Sequence, residues 1–303
     1  MIREDLNSSW LHAMRLGDFA AAWNISDALL HTQQDQTNLP RWFQSVWDGT
    51  SVVGKRVLVR CYHGLGDTIQ FIRYAPLLSA ISAEVIVWTQ PSLIPLLRSV
   101  RGIDRLLPLH DGAPDVEYDV DLELNELPHL FRTTLATIPA EVPYIFVKPA
   151  SFSRNGCLRV GLVWQSGDWD QRRSVPFSEV KRLAQVRDVK WHILQRDALR
   201  AGWDGAMGSI SGGDNPLDDA RVMSALDLII TVDTMTAHLA GALGVPTWTL
   251  LPFEADWRWL LDRDDTPWYP TMRLFRQREE GKWDAVIDDI SGQLSTLLLQ
   301  REV

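Results

Sequence analysis

Residues Leu226 to Leu251 read LDLIITVDTMTAHLAGALGVPTWTLL, and this stretch decides the fold class. It opens with Leu228-Ile229-Ile230-Thr231-Val232, a short β-branched run bounded by Asp227 and Asp233. A strand buried on both faces of a parallel sheet reads this way. A helix is predicted from about Met235 to Leu243, closed by Gly244 where a left-handed cap suits glycine. Val245-Pro246 then restart the chain as a second buried strand, Thr247 to Leu251. In open α/β sheets, ligands sit outside the carboxyl ends of the strands. There the sequence places Asp233, Thr234, Met235, Thr236 and His238, together with the N–H groups of a helix start. Such an end attracts phosphate through its donors and the helix dipole. The same residues have structural uses, since Asp233 or Thr234 can cap the helix and His238 can pack in a core. Strand–cap–helix units occur in every α/β protein, so the role has to come from the rest of the chain.

The chain has 303 residues, enough for two cores. Lys+Arg is 30 against Asp+Glu 39, a net charge of -9. That balance argues against nucleic acid or an anionic membrane surface as the main partner. Any phosphate would have to be met by local dipoles and a few arginines. Cys61 and Cys157, the two cysteines, read as reduced residues rather than a disulfide framework. The first residues, MIREDLNSSW, lack an apolar leader core, and no run approaches the length of a membrane span. A cytoplasmic protein is expected.

From the N-terminus, residues 5 to 31 read as two short helices with Gly17-Asp18 at the turn, resembling one tetratricopeptide unit. A single pair cannot bury its own face, so it must pack on a neighbour. Gln33 to Pro40 is a polar linker, which places a helical pair in residues 1–40. A strand over Lys55–Cys61 leads through Tyr62, His63, Gly64, Leu65, Gly66 and Asp67 into a helix predicted from about Ile69 to Ser79. The two glycines allow a tight turn and a close ligand, without the third glycine of a dinucleotide fingerprint. Asp67 is either the N-cap of that helix or a carboxylate facing a cleft. Pro76 should kink or split the helix. Strands at Val85–Trp88 and Asp119–Leu122 alternate with helices at Pro91–Ser99 and Leu127–Thr134, the sign of a parallel sheet. Pro139, Pro143 and Pro149 end this first αβ domain, residues 41–150.

The second αβ domain, 151–303, starts with a strand at Arg159–Trp164 and a loop holding Gln165, Ser166, Arg172 and Arg173. Arginine supplies fixed charge with bidentate geometry for phosphate. A helix at Pro176–Val186, a strand at Lys190–Gln195 and a helix at Pro216–Leu226 precede the opening stretch. Behind it, Pro252 to Pro270 is dense in Trp, Tyr, Asp and Arg. It reads as too polar for a core and suits a wall that stacks on a ring or a partner. An edge strand at Met272–Phe275 and a helix at Trp283–Leu299 close the chain.

One domain thus offers a carboxylate and the other a phosphate-accepting loop, which suits group transfer from a phosphate leaving group to an acceptor hydroxyl. No His/Cys/Asp set has metal-ligand spacing, and no Walker or Gly-x-Ser-x-Gly loop occurs. At GLGDTIQFIRYAPLL (Gly64–Leu78), VGLVWQSG (Val160–Gly167), RRSVP (Arg172–Pro176), the opening stretch through Pro252 and DWRWLLDRDDTPWYPTMRLFRQ (Asp256–Gln277), the chain resembles glycosyltransferase family 9. That family holds the ADP-heptose:lipopolysaccharide heptosyltransferases, and the variant resembled is the one fused to tetratricopeptide repeats.

The resemblance covers about Arg41 to Gln300. It implies a GT-B-like α/β fold, two Rossmann-like domains facing a cleft, with a final helix crossing back. It also implies inverting, metal-independent transfer from a nucleotide-diphosphate sugar such as ADP-heptose, with no cofactor. The acceptor would be a carbohydrate, lipid-linked glycan or protein bound near His63, Gly64, Leu65 and Gly66. Asp67 falls on the catalytic base, Arg172 or Arg173 on the basic residue at the donor diphosphate, and Asp233 on the holder of the donor sugar. Thr234 to Thr236 fall on the phosphate-binding helix start, and His238 on the histidine of the same motif. Tyr62-His63 stands where such relatives usually have Glu-Gln, and Met235 where a small residue is frequent. The alternative is a non-catalytic nucleotide-sugar-binding or scaffold protein on the same fold. An epimerase or dehydrogenase is disfavoured by the absence of Gly-x-Gly-x-x-Gly and Tyr-x-x-x-Lys.

Overall fold

The computed structural model describes residues 2–30, 44, 46–152, 156–167, 170–213 and 215–301. The linker expected at Gln33 to Pro40 and the Asp168-Trp169 tip of the arginine loop lie outside the described residues. The chain forms two compact units, Met1–Phe146 with Asp256–Asp262, and Val147–Ala255 with Arg263–Val303. Among the described residues the strands form two sheets, one in each unit, with every pairing parallel apart from a single antiparallel bridge between Asp265 and Arg273. No helix of the described residues is long and apolar enough to cross a membrane.

The first unit opens with α1 (Ile2–Leu16) and α2 (Phe19–Leu30), separated by Gly17 at φ +77°. Met14, Phe19, Ala22 and Trp23 form the buried seam. As a lone pair requires, it packs on the rest of its unit. The Trp23 indole N–H donates to the Thr133 carbonyl at 2.6 Å, and Arg132 makes a forked contact with Asp27. β1 (Arg56–Arg60), α3 (Leu65–Phe71), α4 (Ala75–Ser79), β2 (Glu84–Thr89), α5 (Ile94–Leu97), β3 (Arg105–Pro108), β4 (Val120–Glu123) and α6 (Leu127–Leu130) follow. The strand order is β3-β2-β1-β4. β1 and β2 are buried through their middles, as runs covered on both faces must be. β3 went unpredicted; it lies at the edge of the sheet and is half-exposed.

The helix expected at Ile69–Ser79 starts earlier, at Leu65, and is interrupted by a 3-10 turn at Ile72–Tyr74. Pro76 enters at the start of α4, where its missing N–H costs nothing.

The second unit contains β5 (Leu158–Val163), α7 (Phe177–Val180), β6 (Val189–Ile193), β7 (Ser209–Ile210), α8 (Pro216–Met223), β8 (Leu228–Val232), α9 (Met235–Ala242), β9 (Thr247–Leu251), β10 (Met272–Arg276) and α10 (Asp284–Arg301). Its order is β10-β9-β8-β5-β6-β7, so the opening stretch supplies two neighbouring inner strands. Every residue of β8 is buried. α10 lies in this unit with Val286, Ile287, Ile290 and Leu294 buried, and Asp288 pairs with Arg182 just after α7.

Most rings of the aromatic run after β9 are core, which corrects the expectation of a ligand-facing wall, while Phe253 stays exposed. Trp259, Trp268 and Tyr269 are fully buried. The charged residues between them pair locally, Arg258 with Asp256 and Arg263 with Asp265, so the rings can turn inward without stranding a charge. Residues 256–262 belong to the first unit, where the Trp257 ring lies edge-on to Trp10 at 5.8 Å and stacked on Phe71 at 6.4 Å.

Gly241 of α9 shows how closely the second unit is packed. A Cβ there would stand 2.3 Å from the Tyr269 ring, which is itself sealed in. Gly241→Ala should therefore destabilise the protein by about 1–3 kcal/mol through overpacking. This outweighs the helix propensity gain of roughly 1 kcal/mol. Thermal melting of both proteins checks it, and an unchanged or raised melting temperature would contradict the close contact.

Candidate functional site

In the first unit the residues expected at the acceptor loop come together at the carboxyl end of β1. His63 follows the strand, and Gly64 is the extended N-cap of α3 (φ -64°, ψ 159°). Leu65, Gly66 and Asp67 are its first helical residues. The sequence left N-capping open as a role for Asp67. The structure places it instead at the third helical position, where its Oδ2 accepts the Gly64 N–H at 3.0 Å. Its Oδ1 forms an ion pair with Arg258, 191 residues downstream.

Arg258 is held tightly. Its Nη1 donates to Asp256 at 2.9 Å, and its guanidinium lies over the rings of Trp257 at 4.9 Å and Phe71 at 5.4 Å. Two residues on, buried Leu260 adopts φ 56°, ψ -173°, backbone that costs a side chain of its kind energy and persists only when packing fixes it. Sequence reasoning missed Arg258. Its only signal was its place inside the Asp256–Gln277 block.

Beneath the loop, the His63 Nε2 stands 4.0 Å from Glu123 Oε2 at the end of β4. Glu123 is buried, with no side-chain donor among its hydrogen bonds. Burial, then the charge of Glu126, pushes its carboxyl up to about 8. Burial pushes the His63 imidazole down. The buried thiol of Cys61 beside them is pushed up by its burial. The sequence gave no sign of Glu123.

In the second unit the predicted donor residues also gather, with their roles divided. At the end of β5 the backbone N–H groups of Trp164 and Gln165 both donate to Gln195 Oε1, at 3.0 and 2.9 Å. Ser166 braces its own loop, its N–H donating to Ser174 at 3.1 Å and its hydroxyl to the Asp170 carbonyl at 2.9 Å. Arg172 turns outward to Asp170 and Glu254. Arg173 alone reaches the β8–α9 junction. Its Nη1 donates to the Asp233 carbonyl at 3.0 Å and lies 3.9 Å from the carboxylate, while its buried Nε has no hydrogen-bond partner.

At that junction Thr234 is the N-cap, its hydroxyl accepting the Thr236 N–H at 3.2 Å. Part of the donor set expected for phosphate is therefore already used. His238 is buried and shares a 3.0 Å hydrogen bond with the Tyr269 hydroxyl, with its Nε2 4.0 Å from Asp233. Met235 follows the cap, half-buried. Next to Gln195, a cavity of about 450 Å³ opens among Leu194, Arg196, Arg200, Ile210, Gly212 and Gly213, at the ends of β6 and β7. Among the described residues no three His, Cys, Asp or Glu side chains gather as a metal-binding set.

No family model matches the chain. Protein FlbA of Caulobacter vibrioides is 24% identical over 291 residues, matching 83% of this chain and 48% of its own length. The chain therefore spans about half the length of that curated relative. The glycosyl transferase family 9 structure from Veillonella parvula aligns with a TM-score of 0.62 at 12% identity, covering 83% of this chain and 99% of that one. The E. coli ADP-heptose lps heptosyltransferase II aligns at 0.58 with 15% identity, covering 82% and 100%. The fold is shared with these two structures.

Glu123 has a consequence for stability. Its folded pKa lies above the ordinary carboxylate value, so the folded state holds the proton more tightly. Its contribution is complete below the ordinary carboxylate range and is lost as pH rises through about 8. Melting temperatures measured at about pH 5, 7 and 9 should fall more steeply for the wild type than for Glu123→Gln, which has no proton to lose. Parallel curves would contradict the buried, proton-holding Glu123.

Proposed function

We propose that this protein is a glycosyltransferase that moves a sugar, heptose in the first instance, from a nucleotide-diphosphate sugar such as ADP-heptose to an acceptor hydroxyl. The observation that carries this reading is the β8–α9 junction, where Arg173 is drawn onto a helix start at the carboxyl ends of the sheet. A fixed guanidinium there can stabilise charge on a leaving diphosphate without a metal. The cavity beside Gln195 has room for further parts of the donor. The fold shared with an ADP-heptose lps heptosyltransferase agrees with it.

The acceptor, a carbohydrate, lipid-linked glycan or protein, is taken by the first unit, with Asp67 as general base. As the acceptor O–H bond breaks, its proton passes to the carboxylate. The oxygen forms the new bond to the sugar's anomeric carbon, and the nucleoside diphosphate leaves with the old bonding pair. One displacement inverts that carbon. The Gly64 N–H and Arg258 each engage one carboxylate oxygen, which aims the group and leaves lone pairs for a proton.

The Arg258 pair also favours a second reading, donor binding without transfer, because a carboxylate matched to a guanidinium yields its lone pairs reluctantly. Two substitutions separate the readings. Arg173→Ala should weaken nucleotide-sugar affinity by about 1.5–3 kcal/mol, the worth of a charge-assisted bond. Arg172→Ala should change it little, and equal losses would contradict the division of roles. Asp67→Asn keeps an oxygen for the Gly64 N–H but cannot take a proton. Transfer from ADP-heptose should fall about 10²–10⁴-fold with donor affinity intact. Full turnover in this variant would remove Asp67 from the chemistry, and donor binding with no turnover in the wild type would establish the second reading.

A further inference from the structure

We infer that His63, with Glu123 behind it, is a second proton-handling residue of the strand end that holds Asp67, and that Glu123 decides which ring nitrogen of His63 carries the proton. The sheet creates this pairing. β4 lies beside β1 with Glu123 opposite Arg60, so the loop leaving β1 carries His63 over the end of β4. The His63 Nε2 and Glu123 Oε2 are 4.0 Å apart, and a shift of about 1 Å makes a hydrogen bond. Glu123 is 2% exposed, and only backbone groups of its own turn and of Tyr62 stand near its carboxylate. A buried carboxylate so placed must keep its proton or share one with a neighbour. His63 offers the ring nitrogen, and its side chain is 24% exposed, so the ring spans from the buried acid toward solvent.

The charges around the pair are mixed. Glu126 and Asp121 push Glu123 toward its neutral form, Arg60 opposes them, and the Cys61 thiol lies nearby. His63 faces Asp67 and Arg258, whose effects oppose each other. Burial raises Glu123 to about 8 and lowers His63, so burial favours the neutral form of each. Once the 4.0 Å gap closes, the Glu123 carboxyl donates to Nε2, and the ring proton resides on Nδ1. When Glu123 ionises, Nε2–H donates to it and Nδ1 becomes a lone pair. The outward nitrogen thus changes from donor to acceptor.

For its use in catalysis the inference rests on the transfer reading. There, the basic form of His63 takes the proton that Asp67 has received and passes it to water before the next turnover. Glu123 acts through His63 and is a positioning residue.

The test reads the ring directly, by long-range proton–nitrogen NMR of the full chain labelled with 15N-histidine, with His63 identified by the signal lost in His63→Gln. The wild type should pass from the Nδ1–H to the Nε2–H tautomer with a midpoint at about 8. In Glu123→Gln the side chain no longer ionises, and the transition should vanish. Arg60→Gln, altered beside the pair and not within it, should move the midpoint upward, because Arg60 favours the ionised acid. A single wild-type tautomer between about pH 6 and 10, a Glu123→Gln titration like the wild type's, or an unmoved midpoint in Arg60→Gln would each overturn the inference. None of these readings needs turnover, so failure of the transferase reading would leave the tautomer result standing. Where Asp67-dependent transfer is measured, kcat/KM should follow the same midpoint, and an identical pH profile in Glu123→Gln would remove His63 from the reaction.

Discussion

The contact on which the first unit depends is the guanidinium of Arg258 on the carboxylate of Asp67. It joins the end of β1 to a segment 191 residues away. Neither partner could be held this way alone. Arg258 is only 14% exposed and lies against Phe71 and Trp257, so it is desolvated and needs its two carboxylates, Asp67 and Asp256. Trp257 in turn touches Trp10 and Phe19, which ties α1 and α2 to α3. One ion pair therefore orients the candidate base and anchors the helical pair. The backbone of Leu260 in a glycine-like conformation shows how firmly this return of the chain is fixed.

The parallel sheets impose the second constraint. Strands buried on both faces leave polar chemistry only at their ends. In each unit the notable polar side chains sit at the carboxyl ends of the strands: His63 and Glu123 after β1 and at the end of β4, Gln195 after β6, Arg173 over the end of β8. Other polar residues at these ends spend hydrogen bonds on their own scaffold. Ser166, Thr234 and His238 are such cases, and this makes the site rigid while reducing the groups left for a ligand.

Much of this was legible in the sequence, for physical reasons. Buried parallel strands are continuous apolar runs, so β1, β2, β5, β6, β8 and β9 could be read to within a residue or two. β3 and β7, edge strands with exposed side chains, could not. The start of α3 was placed four residues late, since Gly64 and Gly66 resemble a turn while Asp67 closes a capping contact that draws them into the helix. The residues of the arginine loop were found, but a sequence cannot say that Arg172 turns outward and Arg173 inward. Arg258 and Glu123 were missed because their importance comes from partners distant in the chain. The Trp-rich run was misread because local Arg–Asp pairing lets a polar-looking segment bury its rings.

The central claim is that the second unit binds a nucleotide-diphosphate sugar at the ends of β5, β6 and β8. Calorimetric titration of the whole protein with ADP-heptose, and with ADP alone, tests it most directly. The account predicts one saturable site for both compounds, with affinity falling as salt is raised because phosphate meets arginine there. No heat with either compound, nor with any other nucleotide-diphosphate sugar, would contradict it.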